Sequence, residues 1–205
     1  MPGSLSSPQL TDLATHPPSA WPFGAWIAVV LDHFTRSVVA RGVFTKEPTA
    51  AEVISVLDRA VARSGRAPRY VISDRGTQFR DEYRAWCDRH GVRPRFGAVG
   101  KTGSIAIIER FILSMKDECF RRIILPLSIS LVERELDRYL VWYHQHRPHR
   151  SLGGATPNEV LAGTARHERG PPRRRRPSDL RPLRLVVSHV DGRAHLPVIA
   201  LRRAA

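Results

Sequence analysis

Two carboxylates in this chain fall where rigid backbone would hold them for shared chemistry. Asp74 follows the apolar run Tyr70-Val71-Ile72-Ser73 and precedes Arg75-Gly76-Thr77-Gln78-Phe79. That pattern puts it at the tip of a buried strand, where a glycine turn opens the backbone to solvent. Glu109 comes 34 intervening residues later, in Gly103-Ser104-Ile105-Ala106-Ile107-Ile108-Glu109-Arg110-Phe111, which reads as the opening turns of a helix. Carboxylates bind hard divalent cations such as Mg²⁺ or Mn²⁺, and such cations activate oxygen nucleophiles and stabilise leaving oxyanions at phosphorus. The formal charge is +14 and the pI about 11.2. A field of that sign attracts polyanions, nucleic acid first among them, so the two acids point to phosphodiester chemistry. Each also has a plainer reading. Aspartate after a strand often caps a turn, and Glu109 could be a solvated residue or a partner for Arg110 or Lys116.

To place these residues the chain needs a mixed set of elements. With 205 residues and 42% hydrophobic content it can build one full domain and an appendage. Trp26 to Leu31 is a continuous apolar run suited to a buried strand, and Ser37 to Phe44 follows the turn Asp32-His33-Phe34-Thr35-Arg36, so the two predict a hairpin. Pro48-Thr49 starts a helix whose stripe is Val53, Leu57 and Val61, ended by Ser64-Gly65. Tyr70 to Ser73 is the next strand. Phe79 to Arg89 is a helix stopped at Gly91, and Val92 to Phe96 is a short strand. The Glu109 helix carries Ile105, Ile108, Ile112 and Met115 on one face; a later helix carries Val132, Leu136, Tyr139, Leu140 and Tyr143. Thr156-Pro157 pairs an N-cap with a helix-starting proline. Leu183 to Val190 and Ala194 to Leu201 alternate around Asp191-Gly192, a hairpin signal.

Three stretches make the pattern specific: Val30-Leu31-Asp32-His33-Phe34-Thr35-Arg36, then Ser73 to Phe79, then Trp142-Tyr143-His144-Gln145-His146-Arg147-Pro148-His149 followed by Leu152-Gly153-Gly154 and Thr156-Pro157. Together they resemble the catalytic core of bacterial insertion-sequence transposases related to retroviral integrases, over roughly Asp12 to Gly163. The resemblance implies an α/β, ribonuclease-H-like mixed sheet flanked by helices. It also implies three acidic ligands for two Mg²⁺ or Mn²⁺ ions, and metal-dependent DNA strand cleavage and transfer. The partners it implies are transposon ends, target DNA and further copies of the chain in a homo-oligomer. Asp74 matches the second acid and Glu109 the third. Asp12, in Thr11-Asp12-Leu13-Ala14-Thr15, matches the first; Pro8, Pro17 and Pro18 lie around it, so its strand is expected to be short or at an edge. Asp32 is the other candidate, with a hairpin-turn role suiting it better. Lys116, seven positions after Glu109 and so near the same helix face, resembles a lysine that contacts the DNA end in related integrases. Lys101 and Arg110 are further DNA candidates.

The sequence departs from the family in having Ser104-Ile105 where an Asp-Asn pair often precedes the third acid, and His144 where the closing motif often has Asn. Neither change replaces a carboxylate ligand. Two alternatives remain: a nuclease of the same fold that only hydrolyses, and a catalytically inactive, truncated remnant that only binds DNA.

The remaining signals concern the flanks. From Thr164 to Ala205 there are 11 Arg against 3 Asp or Glu, a charge of +8 in 42 residues. Arg173, Arg174, Arg175 and Arg176 therefore read as phosphate contacts without sequence readout. The expected division is a loose segment 1–10, a core 11–163, a basic Pro/Arg linker 164–182 and a β-hairpin tail 183–205. Only about ten residues precede Asp12, so terminal-repeat recognition is expected elsewhere, on a separate chain or a missing segment. Cys87 and Cys119 form no CxxC pair and read as reduced thiols. His144, His146 and His149 lack a spacing that fixes one face, so a structural cap is preferred to zinc. No apolar run spans a bilayer and no secretory signal is evident, so a bacterial cytoplasmic, nucleoid-associated location is expected.

Overall fold

The run Trp26–Asp32 has no proline and no polar side chain before its last residue, and it forms strand β2 near the middle of a five-stranded sheet. The structure, a computed structural model, describes residues 10–16, 25–97, 105–122, 128–165 and 183–203; for 10–16 and 203 it describes the backbone. Contacts divide the chain into two compact units, Met1–Leu136 and Asp137–Ala205.

In the first unit β1 (Leu10–His16) pairs antiparallel with β2 and parallel with β4 (Tyr70–Ser73); β3 (Val38–Phe44) extends one side and β5 (Arg93–Phe96) the other. The order is β3-β2-β1-β4-β5. This is the mixed α/β sheet expected from the sequence. The strand holding Asp12 is neither short nor at an edge, as the nearby prolines suggested; it is seven residues long and central. The prolines fall outside its ladder, so no sheet hydrogen bond is lost.

Alternation sorts the strand residues between two faces. Ala28, Val30, Ala40 and Val71 pack with Val53, Val56, Leu57 and Ala60 of α1 (Ala50–Ser64) and with Tyr83 and Trp86 of α2 (Asp81–Arg89). The opposite set, Ile27, Val29, Leu31 and Ile72, is also buried, and α3 (Ala106–Glu118) packs against β1. Helix α1 starts where its sequence says it should. Thr49 and Glu52 form a reciprocal capping box, and Gly65 takes the left-handed C-cap at φ 73°. Each fully buried Val or Leu on α1 contributes about 1.5–3 kcal/mol through surface removed from water.

Helix α4 (Ile129–Gln145) begins in the first unit and ends in the second, with Val132, Leu136, Tyr139, Leu140 and Tyr143 buried. In the second unit α5 (Pro157–Leu161) carries a capping box between Thr156 and Glu159. His149 is buried there with its ring edge-on to Tyr143, centroids 4.6 Å apart. The tail hairpin pairs β6 (Leu183–His189) with β7 (Pro197–Arg203). Its second strand starts at Pro197, not Ala194 as the alternation suggested. Residues 190–196 form a wider turn closed by Val190 N–H to Leu196 C=O, 3.1 Å, and this lets Leu196 bury its side chain completely.

Candidate active site

Asp74 leaves the end of β4 just after three buried residues, and is itself only half-buried. Its Oδ1 accepts the Gly76 backbone N–H at 2.9 Å, so the aspartate does cap its own turn. That uses one oxygen; no ion pair engages the carboxylate among the described residues. The turn is tight for a second reason. A Cβ on Gly76 would come within 2.6 Å of the Gln78 side-chain amide, and Gln78 is buried. Gly76 and Gln78 thus shape the backbone that presents Asp74. The sequence reading passed over Gln78, although its place two residues beyond the glycine marked it.

Glu109 stands in the first turn of α3, exposed, at the border of the buried stripe formed by Ile108, Ile112 and Met115. Neither Arg110 nor Lys116 pairs with it among the described residues. Its carboxylate is open to a ligand, and α3 packs against the strand that carries Asp12. Asp12 itself sits opposite Leu31 on one side and Ile72 on the other. By register, its Cα therefore lies one strand over from β4 and two positions short of Asp74.

Asp32 is built differently. It is buried, with Oδ2 accepting the Thr35 N–H at 2.9 Å and the Thr35 hydroxyl, and Oδ1 accepting the Phe34 N–H at 3.5 Å. Its position in β2 alternates with Ala28 and Val30, on the α1 face, and its Cα pairs with Thr11, not with Asp12. It closes the hairpin turn, as its sequence context suggested.

Among the DNA candidates, Arg110 is exposed and Lys116 is buried. Burial lowers the Lys116 ammonium pKa, Arg121 lowers it further, and Asp117 partly offsets both. Lys101 and Arg173 to Arg176 lie outside the described residues, as does the Asp12 side chain. Among the described residues no group of three His, Cys, Asp or Glu side chains is arranged to hold a metal. The donor set of Asp74 and Glu109, all oxygen and unpaired with cations among the described residues, fits a hard divalent ion; with Asp12 it would supply three carboxylates.

The outer strand of the sheet, expected over Val92 to Phe96, forms as β5, and its arginines are a feature to which the sequence reading gave no role. Arg93 and Arg95 of β5 are exposed, and the Arg95 guanidinium carbon lies 4.0 Å from the Tyr70 ring centroid, with that of Arg69 at 5.3 Å.

Two overlapping stretches, residues 11–102 and 90–157, match the integrase core domain family. The transposase InsF of insertion sequence IS3A from Escherichia coli is 31% identical over 143 residues, covering 65% of this chain and 47% of InsF. The chain thus spans about half the length of the curated relatives it matches. Among solved structures, the BIV integrase catalytic core aligns with a TM-score of 0.60 at 21% identity, over 77% of this chain and 96% of that one. The HTLV-2 integrase catalytic core, a dimeric form in complex with magnesium, aligns with a TM-score of 0.59 at 16% identity, over 77% and 99%.

Proposed function

The chain belongs to the integrase core family, and from that premise we propose that it is the catalytic core of an insertion-sequence transposase, cutting and joining DNA strands at a centre formed by Asp74, Glu109 and Asp12. What supports this reading is the placement of the three acids on adjoining elements: Asp74 at the tip of β4, the Asp12 backbone in register on the neighbouring strand, and Glu109 on the helix packed against that strand.

These three residues would hold two divalent cations, Mg²⁺ or Mn²⁺, which supply charge stabilisation at phosphorus and a deprotonated oxygen near neutral pH. The protein's own contribution is placement. Strand β4 and its Gly76 turn fix the Asp74 carboxylate, and the buried face of α3 fixes Glu109. In the first reaction a water oxygen bonds to phosphorus and the DNA 3′-oxygen leaves with a proton. In the second, that 3′-hydroxyl bonds to a target phosphorus and the target's 3′-oxygen leaves. The charge of +14 concentrates DNA at the surface, and the working form is a homo-oligomer holding two element ends; a structurally similar integrase core has been solved in a dimeric form. The site of action is the bacterial cytoplasm, at the nucleoid.

The test uses labelled duplexes carrying the ends of the encoding element. Asp74→Asn, Glu109→Gln and Asp12→Asn each keep shape and remove ligand charge. Each should lower Mg²⁺-dependent cleavage on the order of a thousandfold, the equivalent of several kcal/mol of transition-state stabilisation, with the fold unchanged by circular dichroism. Wild-type cleavage by any of them removes that residue from the centre. Cutting without joining selects the hydrolytic nuclease, and binding without cutting by wild type selects the inactive remnant.

A further inference from the structure

We infer that the outer edge of the sheet, Arg93 and Arg95 of β5 with Arg69 and the Tyr70 ring, is a phosphate-binding strip that seats the DNA backbone beside the acidic centre. The inference rests on the DNA-processing function proposed above and adds the surface on which the substrate lies.

Register places the strip. Asp12 pairs with Ile72, and Ile72 with Arg95, so the three Cα positions form one row across β1, β4 and β5. Arg93 forms the next row with Tyr70. Arg93 and Arg95 therefore share the face of Ile72, the face opposite α1. From strand spacing and rise, the Cα of Arg95 lies about 8 Å from that of Asp74, one strand over and two residues short. A cation there neighbours the reacting phosphate without displacing a metal ligand.

Electrostatics and stacking make the strip specific. The guanidinium of Arg95 is held over the Tyr70 ring at 4.0 Å and that of Arg69 at 5.3 Å. Stacking fixes a guanidinium plane while leaving its N–H fork open, and that fork matches phosphate oxygens in two-point contact. None of Arg69, Arg93 and Arg95 has a carboxylate partner among the described residues. Elsewhere on this chain arginines do find acids, as Arg138 does with Asp191 at 3.1 Å and Arg121 with Asp117. The rival account is edge protection. Charged residues and a proline, here Pro94, keep an outer strand from pairing with another sheet. It explains charge on the strand but not the stacked, unpaired arginines.

The experiment measures binding of the full chain to a fluorescent 20-base-pair duplex, by anisotropy across a salt series with EDTA present so that no cleavage intervenes. Arg93→Gln/Arg95→Gln is compared with Arg59→Gln/Arg63→Gln, two exposed arginines on α1 that remove equal charge. Two lost phosphate contacts should flatten the log affinity against log salt slope by about 1.8 and weaken binding more than tenfold at about 0.1 M salt. The α1 pair should leave the slope near wild type. If the glutamine variant aggregates, Arg93→Glu/Arg95→Glu keeps the edge charged and is read against Arg59→Glu/Arg63→Glu. An unchanged slope, or an equal loss for both pairs, overturns the strip. A strip that loses binding in a chain that never cuts DNA stands while the proposed activity falls; an active chain whose strip variants bind normally gives the reverse.

Discussion

Two of the antiparallel strand pairs, β2–β3 and β6–β7, are built from comparable apolar sequence, and only the first is buried. In β2–β3, Leu31 is 0% exposed, and residues of both alternating sets are covered. In β6–β7, Leu185 is 62% and Ile199 65% exposed. Register aligns Leu183, Leu185, Val187, Ile199 and Leu201 along one face of the tail hairpin, all of them exposed. The difference lies in neighbours. Strand β2 has β1 on its other side, α1 on one face and a buried apolar set on the other. Strands β6 and β7 pair only with each other among the described residues. A lone two-stranded hairpin is marginal in water, and this one is held at its turn instead. Leu196 is fully buried, the Trp142 indole N–H donates to the Pro197 carbonyl at 2.8 Å, and Arg138 meets Asp191. Alternation thus specifies a strand, while burial depends on what the rest of the chain lays against it.

Truncating a leucine in each hairpin should give the widest gap in stability between the two. Leu31→Ala should cost about 2–5 kcal/mol, the range for a fully buried leucine leaving a cavity. Leu185→Ala should change stability by less than about 0.5 kcal/mol, as exposed sites do. Both are read from urea unfolding of the same preparation. A cost at Leu185 equal to that at Leu31 would mean the tail's apolar face is covered in solution.

The anchor of the tail gives the next effect. Trp142→Phe keeps most of the ring but leaves the Pro197 carbonyl without its donor, a loss of about 1–3 kcal/mol if the carbonyl stays buried. Hydrogen exchange should quicken across 183–203 and stay unchanged in β2 and β3. Arg138→Gln breaks a surface pair worth at most about 1 kcal/mol and should quicken the tail less. Equal effects from the two variants would shift the anchor from the indole to the ion pair.

Local signals in the sequence were as good as the interactions they encode. Thr49 and Glu52, or Thr156 and Glu159, announce capping boxes because partner and cap lie three residues apart. Asp74 was legible because strand, acid and glycine are contiguous. The β1 strand was harder to read, since Thr11, Asp12, Thr15 and His16 have little apolar pattern and prolines flank them. Pairing with β2 and β4 makes it a strand, and pairing is not local. The stacked Arg95 and Tyr70 are 25 residues apart and meet only through the β4–β5 register. Lys116 is buried because it continues the Ile108-Ile112 spacing of α3, a stripe whose next position happens to hold a lysine.

Alkaline pH should also separate the two regions. Burial raises the Cys87 thiol above its ordinary 9.0, and burial likewise raises the Tyr83 hydroxyl, both within the first unit's core. A folded pKa above the unfolded one gives stability that is complete below the unfolded value and lost as pH rises. Unfolding monitored by β2–β3 protection should therefore ease above about pH 9. Cys87→Ala should delay the onset toward pH 10, where Tyr83 takes over. An onset unaffected by Cys87→Ala would put the alkaline response outside this core.

The smallest effect is an acid one at the tip of the buried hairpin. His33 lies in the turn between β2 and β3, beside Asp32 and Arg36. Burial lowers its pKa below the ordinary 6.5, the Arg36 charge lowers it further, and Asp32 opposes both. For a base with a depressed folded pKa, the unfolded chain takes up the proton first. Stability is then fully present above pH 6.5 and declines as pH falls toward the folded value, after which it levels off. The side chain is partly solvated, so the step is small and only its direction is fixed. His33→Gln keeps a polar side chain of similar reach and cannot protonate. Wild type should lose slightly more melting temperature between pH 7 and 5 than this variant, at fixed ionic strength so that screening stays constant. Equal losses would mean that His33 keeps the same affinity for its proton in both states.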